Sequence, residues 1–303
     1  MRVFGVDYTF LSCGDVFTRG LEHAAKTLGL DYLHDEWSSP NINAQVVLTQ
    51  PDLLFVVHGR RFRQAWGSST RFDVRRAVWL VDEPYEVDDT ERFSAWFNHV
   101  FVNDRATLHR HPGSIYLPVC YDPRVHYWRT EQPRWRSVGF IGGANGRREA
   151  VLAALSRANL LNYVIGGQWS DPDVNRRCLS PNIPAPLTAD FYRETKIVVN
   201  VFREQHHFNR DGIVATAMNP RIYEALACGA LVVSEPRSEI AERVPELPTF
   251  TTPDECVELV RGLLAEPDRL QHLQTVCAAR LSGDTYAARL RKVMQAAMGE
   301  VAA

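Results

Sequence analysis

Short, uninterrupted apolar runs set between longer amphipathic stretches constrain this chain more than any other feature. Leu53-Leu54-Phe55-Val56-Val57, bounded by Pro51 and Gly59, is the clearest of them. Such a run is too short for a helix and lacks the alternation of a strand with one wet face. It suits a strand covered on both sides. Val3 to Val6, Val78-Trp79-Leu80-Val81 and Val100-Phe101-Val102 are of the same kind. After the first strand, Asp15 to Leu28 sets Phe17, Leu21, Ala24, Ala25 and Leu28 on one helical face. Strands of this type alternating with helices predict a parallel sheet clothed by helices on both faces.

Between Pro118 and Arg136 the pattern lapses into a stretch punctuated by Pro118, Pro123 and Pro133, which reads as a connection between domains. The alternation then restarts. Ser137 to Ile141, Tyr163 to Ile165, Ile197 to Val201 and Leu231 to Val233 read as strands, and Arg147 to Ala158 as a helix. Asn219 to Cys228 is a helix stopped by Gly229, and Thr285 to Ala297 is a last one with Tyr286, Leu290, Val293, Met294 and Ala297 on one face. A length of 303 residues accommodates two domains of ordinary size. The expected division is 1–125 and 126–303, both α/β.

Charge narrows the partners. Lys plus Arg (34) nearly balances Asp plus Glu (36), for a formal net charge of -2. A chain this neutral lacks the broad positive field of a duplex binder, so nucleic acid is not the expected partner. Cys13, Cys120, Cys178, Cys228, Cys256 and Cys277 are scattered without zinc or redox spacing and read as buried thiols. No apolar run approaches the ~20 residues that cross a bilayer. The opening Met1-Arg2-Val3-Phe4-Gly5-Val6-Asp7 reads as a first strand and not as a signal peptide. The expected location is the cytoplasm.

In open α/β sheets ligands gather at the carboxyl ends of strands. Gly142-Gly143-Ala144-Asn145-Gly146-Arg147-Arg148 follows a strand and opens a helix. Its glycines allow close backbone approach to an anion, and Arg147 adds charge suited to a diphosphate; a plain tight turn fits the same residues. The second such place is Met218-Asn219-Pro220-Arg221-Ile222-Tyr223-Glu224-Ala225-Leu226-Ala227-Cys228-Gly229. Pro220 fits a first helical turn, and Arg221 and Glu224, three apart, share a face near the positive end of the helix.

The Asn219 to Gly229 block resembles the nucleotide-sugar signature of GT-B glycosyltransferases, most closely the CgeB-like, spore-maturation-type branch. Val78 to Pro84 and Val100 to Asp104 are similar to the same family. The resemblance implies two Rossmann-like parallel-sheet domains facing a central cleft, with the helix over 285–297 crossing back to the first. It implies transfer of a sugar from a nucleoside diphosphate such as UDP to a small-molecule, glycan or protein acceptor, with neither metal nor cofactor. Glu224 would hold the donor ribose hydroxyls and Arg221 the diphosphate, with Asn219, Gly142, Gly143, Asn145, Arg147 and Lys196 on the donor side. Related retaining enzymes carry an earlier glutamate where this chain has Thr216, so no retaining mechanism is carried over.

On the acceptor side Asp82, just after a strand, is the first choice of proton acceptor and His58 the second, with Asp7 and Thr9 lining the site. The polar segment Arg203 to Gly212 suits a loop that closes over substrate. Two other functions fit the same shape. One is a nucleotide-sugar epimerase; the other is a non-catalytic coat-assembly or binding protein. Transfer to modified DNA bases is disfavoured by the net charge.

Overall fold

The computed structural model describes residues 1–7, 14–66, 73–181, 185–203 and 208–299. The chain divides into two compact units, the first built from Met1–Asp122, Gln205–Ala217 and Thr285–Ala303, the second from Pro123–Glu204 and Met218–Asp284.

In the first unit the strands are β1 (Arg2–Asp7), β2 (Asp31–Glu36), β3 (Leu53–Val57), β4 (Arg75–Leu80), β5 (His99–Val102) and β6 (Ile115–Tyr116). The helices α1 (Gly14–Thr27), α2 (Ile42–Thr49), α3 (Arg60–Trp66) and α4 (Val87–Ser94) connect them. The sheet is parallel, in the order β2-β1-β3-β4-β5-β6. Each residue of β3 is buried, as its unbroken apolar run requires of a central strand. One face packs Phe4, Val6, Leu54, Val56, Val78 and Leu80 against Ile42, Val46, Phe62 and Phe93.

The other face carries an aromatic cluster in which Phe17 of α1 meets Trp79 edge-on, with ring centroids 5.5 Å apart. Both lean on Tyr286, the first residue of the chain's last helix, Tyr286–Met298. A methyl at Gly20 would come within 2.3 Å of the Tyr286 ring, so glycine there sets how closely this helix lies on α1.

The edge strand β2 was not foreseen, and its sequence Asp-Tyr-Leu-His-Asp-Glu shows why. An edge strand is covered on one flank only, so it needs no apolar run. Here it is tied down by charge. His34 is hydrogen-bonded through Nδ1 to Asp7 Oδ2 and through Nε2 to Glu22 Oε1, the latter at 2.8 Å. The bond with Asp7 raises His34 to about 9 against the opposing effect of burial, and Glu22 adds to the rise. A raised folded-state value means the stabilisation is full below pH ~6.5 and is lost as pH climbs through about 9. Allowing for solvent, that is about 1–2 kcal/mol. His34→Gln should therefore be less stable than the parent by this amount at pH 6, with the gap closing by pH 10. Urea melts at the two pH values would reveal it.

In the second unit β7 (Arg136–Ile141), β8 (Tyr163–Ile165), β9 (Cys178–Ser180), β10 (Thr195–Asn200) and β11 (Leu231–Ser234) form a parallel sheet ordered β11-β10-β7-β8-β9. The helices are α5 (Gly146–Arg157), α6 (Pro172–Arg177), α7 (Ala185–Glu194), α8 (Pro220–Ala227), α9 (Ser238–Arg243), α10 (Pro253–Ala265) and α11 (Pro267–Arg280). The final helix α12 (Tyr286–Met298) lies with the first unit.

Before β7 the chain is irregular but anchored. Arg134 reaches the carbonyls of Tyr192 (3.3 Å), Arg193 (2.7 Å) and Thr195 (3.3 Å) with Nη1, and that of Cys228 (2.9 Å) with Nη2. One guanidinium thus satisfies carbonyls left over at the ends of α7 and α8. Burial lowers its pKa to about 10. Among the described residues no helix is long and apolar enough to cross a membrane.

Candidate functional site

The second sheet reverses direction at β7. The chain goes from β7 outward to β8 and β9, then returns to place β10 on β7's other side. Ligand sites of open α/β sheets form at the carboxyl ends of the strands flanking such a reversal. The residues found there are Gly142 and Gly143 after β7, Asn200 ending β10, and the start of α8.

Asn200 organises the place. It is fully buried, and its amide nitrogen donates to Ser234 Oγ at 2.8 Å. Its Oδ1 accepts from Asn219 Nδ2 at 2.8 Å and from Arg221 Nη1. Arg221 also donates from Nε to the Ile141 carbonyl at 2.6 Å, and its guanidinium carbon lies 4.9 Å from the centroid of the Phe140 ring. Two hydrogen bonds and a stacked ring leave the guanidinium little freedom, so its charge is pre-positioned beside the glycine loop. A methyl on Gly142 would fall 2.4 Å from Arg221 Nη2.

Asn219 stands at the N-cap of α8 in extended conformation, yet its side chain makes no capping bond. Among the described residues its buried Oδ1 has no hydrogen-bond partner.

Glu224 lies on the same helix, 8% exposed. Among the described residues no hydrogen bond or ion pair reaches its carboxylate. Burial pushes it up to about 7, against the pull of Arg221. A carboxyl raised this way costs the fold stability once ionised, so the penalty grows from pH ~4.5 and is full above about 7. Ligand-free Glu224→Gln should consequently be more stable than the parent at pH 8, by about 1–3 kcal/mol, and equal to it near pH 4. Thermal melts across that range would test this.

The other residues expected on the donor side divide. Asn145 caps α5, accepting from Arg148 N at 2.9 Å. Arg147 is exposed and already paired through Nε with the buried carboxylate of Glu235, which also takes Phe202 N at 2.8 Å. Lys196 lies four residues before Asn200 on β10, roughly 13 Å toward the amino end of the sheet. It is not brought to this cluster.

Sequence reasoning missed Asn200, Glu235 and the pair Gly166-Gly167. The glycines have φ of +93° and +79°. A methyl on Gly166 would sit 2.8 Å from Gly142 O, and one on Gly167 2.5 Å from Ala144 N. Only glycine lets these two loops press together. The signals were present, a lone amide closing an apolar strand and a doubled glycine after another.

In the first unit Asp7, His58 and Asp82 stand at or just past the carboxyl ends of β1, β3 and β4. Asp82 is half-buried and opens a turn whose carbonyl takes Tyr85 N at 3.0 Å. His58 is buried with φ +67°, and its Nε2 lies 3.0 Å from Glu86 Oε2. Thr9 lies outside the described residues, as do 204–207 of the expected closing loop. Residues 208–212 of that loop are fastened within the first unit. Phe208 bonds through its backbone to Tyr85 and Asp88, and Arg210 N to Asp88 Oδ2 at 2.8 Å. Thr216 gives both its hydroxyl and its amide to the buried Asp104. Among the described residues no three of His, Cys, Asp and Glu are grouped to hold a metal ion.

Residues 147–295 match a family model described as glycosyl transferase-like. No curated protein matches the sequence. Among solved structures, a sucrose-phosphate synthase from Thermosynechococcus elongatus is similar, with a TM-score of 0.69, 11% identity and 98% of each chain covered. An alpha-glucosyltransferase in complex with UDP and DNA gives a TM-score of 0.70 at 9% identity, covering 99% of this chain and 100% of that one. A putative UDP-N-acetylglucosamine 2-epimerase from Listeria monocytogenes gives 0.60 at 10% identity, covering 97% and 96%. With two parallel Rossmann-like sheets and these likenesses, the chain has the GT-B fold.

Proposed function

We propose that this chain is a glycosyltransferase, of the CgeB-like branch, which takes its donor as a nucleoside diphosphate sugar in the second unit. The observation that carries the reading is Glu224, one helical turn from Arg221 and only 8% exposed, whose carboxylate takes no hydrogen bond among the described residues. A carboxylate placed this way can take donors from a ligand, and vicinal ribose hydroxyls donate two hydrogen bonds to one carboxylate. Arg221 and the amides opening α8 would face the diphosphate. Holding that charge as the sugar–phosphate bond breaks stabilises the leaving group, so chemistry without a metal is expected. Chelator in the transfer assay should leave the rate unchanged.

The neighbour bound to UDP makes UDP the first ligand to try. Calorimetric titration should give binding that strengthens as pH rises through about 7, where Glu224 ionises. In Glu224→Gln affinity should fall about 10- to 100-fold, the worth of hydrogen bonds to a charged group, and the pH response should vanish. UDP binding unaffected by the substitution at pH 8 would refute the assignment. The acceptor would be met by the first unit, with Asp82 or His58 as proton acceptor and Asp7 and Thr9 alongside. An epimerase of the same fold would convert its sugar nucleotide with no acceptor present, so product analysis separates the two activities.

A further inference from the structure

β1 and β2 run in register, with Val3 beside Tyr32, Gly5 beside His34 and Asp7 beside Glu36. Strand alternation puts Gly5 and Asp7 on the same side as Tyr32 and His34. The missing side chain at Gly5 makes room for the phenol, since a methyl there would come 2.2 Å from Tyr32 Oη. His34 stacks beside Tyr32 with ring centroids 5.8 Å apart. Both of its ring nitrogens are taken, by Asp7 from β1 and by Glu22 from α1. A ring donating to two carboxylates is an imidazolium, with no lone pair left to accept a proton. It acts as a clamp.

Among the described residues, two polar atoms of this patch have no hydrogen-bond partner. Asp7 Oδ1 and the Tyr32 hydroxyl are both buried and unbonded, the Asp7 side chain being 5% exposed. Left so, each burdens the fold, and His34 and Glu22 hold Asp7 in that posture. The chemistry wanted there is narrow. A carboxylate oxygen accepts only, whereas a phenol both donates and accepts. Burial first, then Asp7 and Glu22, hold the phenol's pKa well above its ordinary value, so it stays protonated. A hydroxyl group has the chemistry to serve either atom, while an anion would be repelled by Asp7 and Glu22. The position is also apt, because Asp7 ends β1 where β2 and β3 leave on opposite sides, the reversal point of the first sheet.

We propose that Asp7 and Tyr32 form an acceptor subsite for a hydroxyl-bearing neutral molecule of the sugar class, with His34 and Glu22 as positioning residues. The subsite rests on the transferase reading. It goes beyond that reading in naming the acceptor's chemistry and the two residues that hold Asp7.

Saturation-transfer NMR on the full chain with saturating UDP tests it, using glucose, galactose and mannose as probes and glucose 6-phosphate as the anionic comparator. At least one neutral sugar should bind and the phosphate should not. Asp7→Asn and Tyr32→Phe should each weaken the sugar about tenfold or more while UDP affinity stays within about twofold. Tyr32→Phe deletes only a buried hydroxyl that no hydrogen bond supports, so it should melt no lower than the parent and decides the matter even if Asp7→Asn fails to fold. In the parent, sugar binding should hold from pH 6 to 8 and fall as His34 loses its proton near 9. His34→Gln should bind more weakly and without that fall, a response a merely structural residue would not give. Equal sugar binding by the parent and Tyr32→Phe overturns the proposal, as does UDP binding with no neutral sugar bound, the result if a buried water fills the gap. Failure of UDP to bind the parent overturns the transferase reading and the subsite with it.

Discussion

Arg221→Ala is expected to weaken UDP about 100-fold, with a range of roughly 30- to 1000-fold, the 2–4 kcal/mol typical of a pre-positioned charge at a phosphate. The size follows from how little the side chain must reorganise. Ile141 O, Asn200 Oδ1 and the Phe140 ring already hold the guanidinium in one pose, so its ordering cost falls on folding and not on ligand capture. Arg221→Lys keeps the charge but not the fork that spans Ile141 and Asn200, and should fall between the two. Titration calorimetry at low and high salt separates the contributions. The parent's affinity should drop more with salt than that of Arg221→Ala. Because the substitution also strips a donor from Ile141 O and Asn200, melting curves should accompany it.

Arg134→Ala should be the most damaging single change to stability, about 3 kcal/mol or more, or roughly 6–12 °C in melting temperature for a fold of this size. The four carbonyls it serves come from α7, the strand after it and α8. Few other side chains could replace it, because the pocket has no room to spare. A methyl on Gly229 would lie 2.4 Å from Arg134 Nη2 and as close to the Trp128 ring. Alanine offers no donor at this position, so the four carbonyls lose the bonds that Arg134 supplies. Differential scanning calorimetry would read the loss, and Arg134→Lys, with a single ammonium for four acceptors, should recover only part of it.

What could be read from the sequence tracks the physics of burial. Leu53–Val57 declared itself because a strand covered on both faces must be apolar throughout. β2 did not, since half-covered residues tolerate Asp, His and Glu, and its stability comes from a clamp whose members, Asp7, Glu22 and His34, are distant in the chain. The same division runs through the donor-side residues. Asn219, Arg221 and Glu224 share one short helix, so their spacing displayed them together. Asn200, Glu235 and Gly166 reach the cluster only through the sheet order, which a linear text does not carry. Lys196 shows the converse, a residue whose neighbourhood in the sequence does not carry over to the cluster. It sits on the right strand, but strand direction decides which end meets the ligand, and four residues are enough to lose it.

The return of α12 to the first unit has a consequence for how the molecule is made. Phe17 and Trp79 complete their cluster against Tyr286, a residue that leaves the ribosome after everything in the second unit has been synthesised. The amino-terminal sheet must wait, with an apolar face uncovered, while the later-born unit has all its parts in hand by Asp284. Birth order and order of completion are thus reversed, and a nascent chain stalled before Tyr286 would expose the surface that chaperones and proteases recognise.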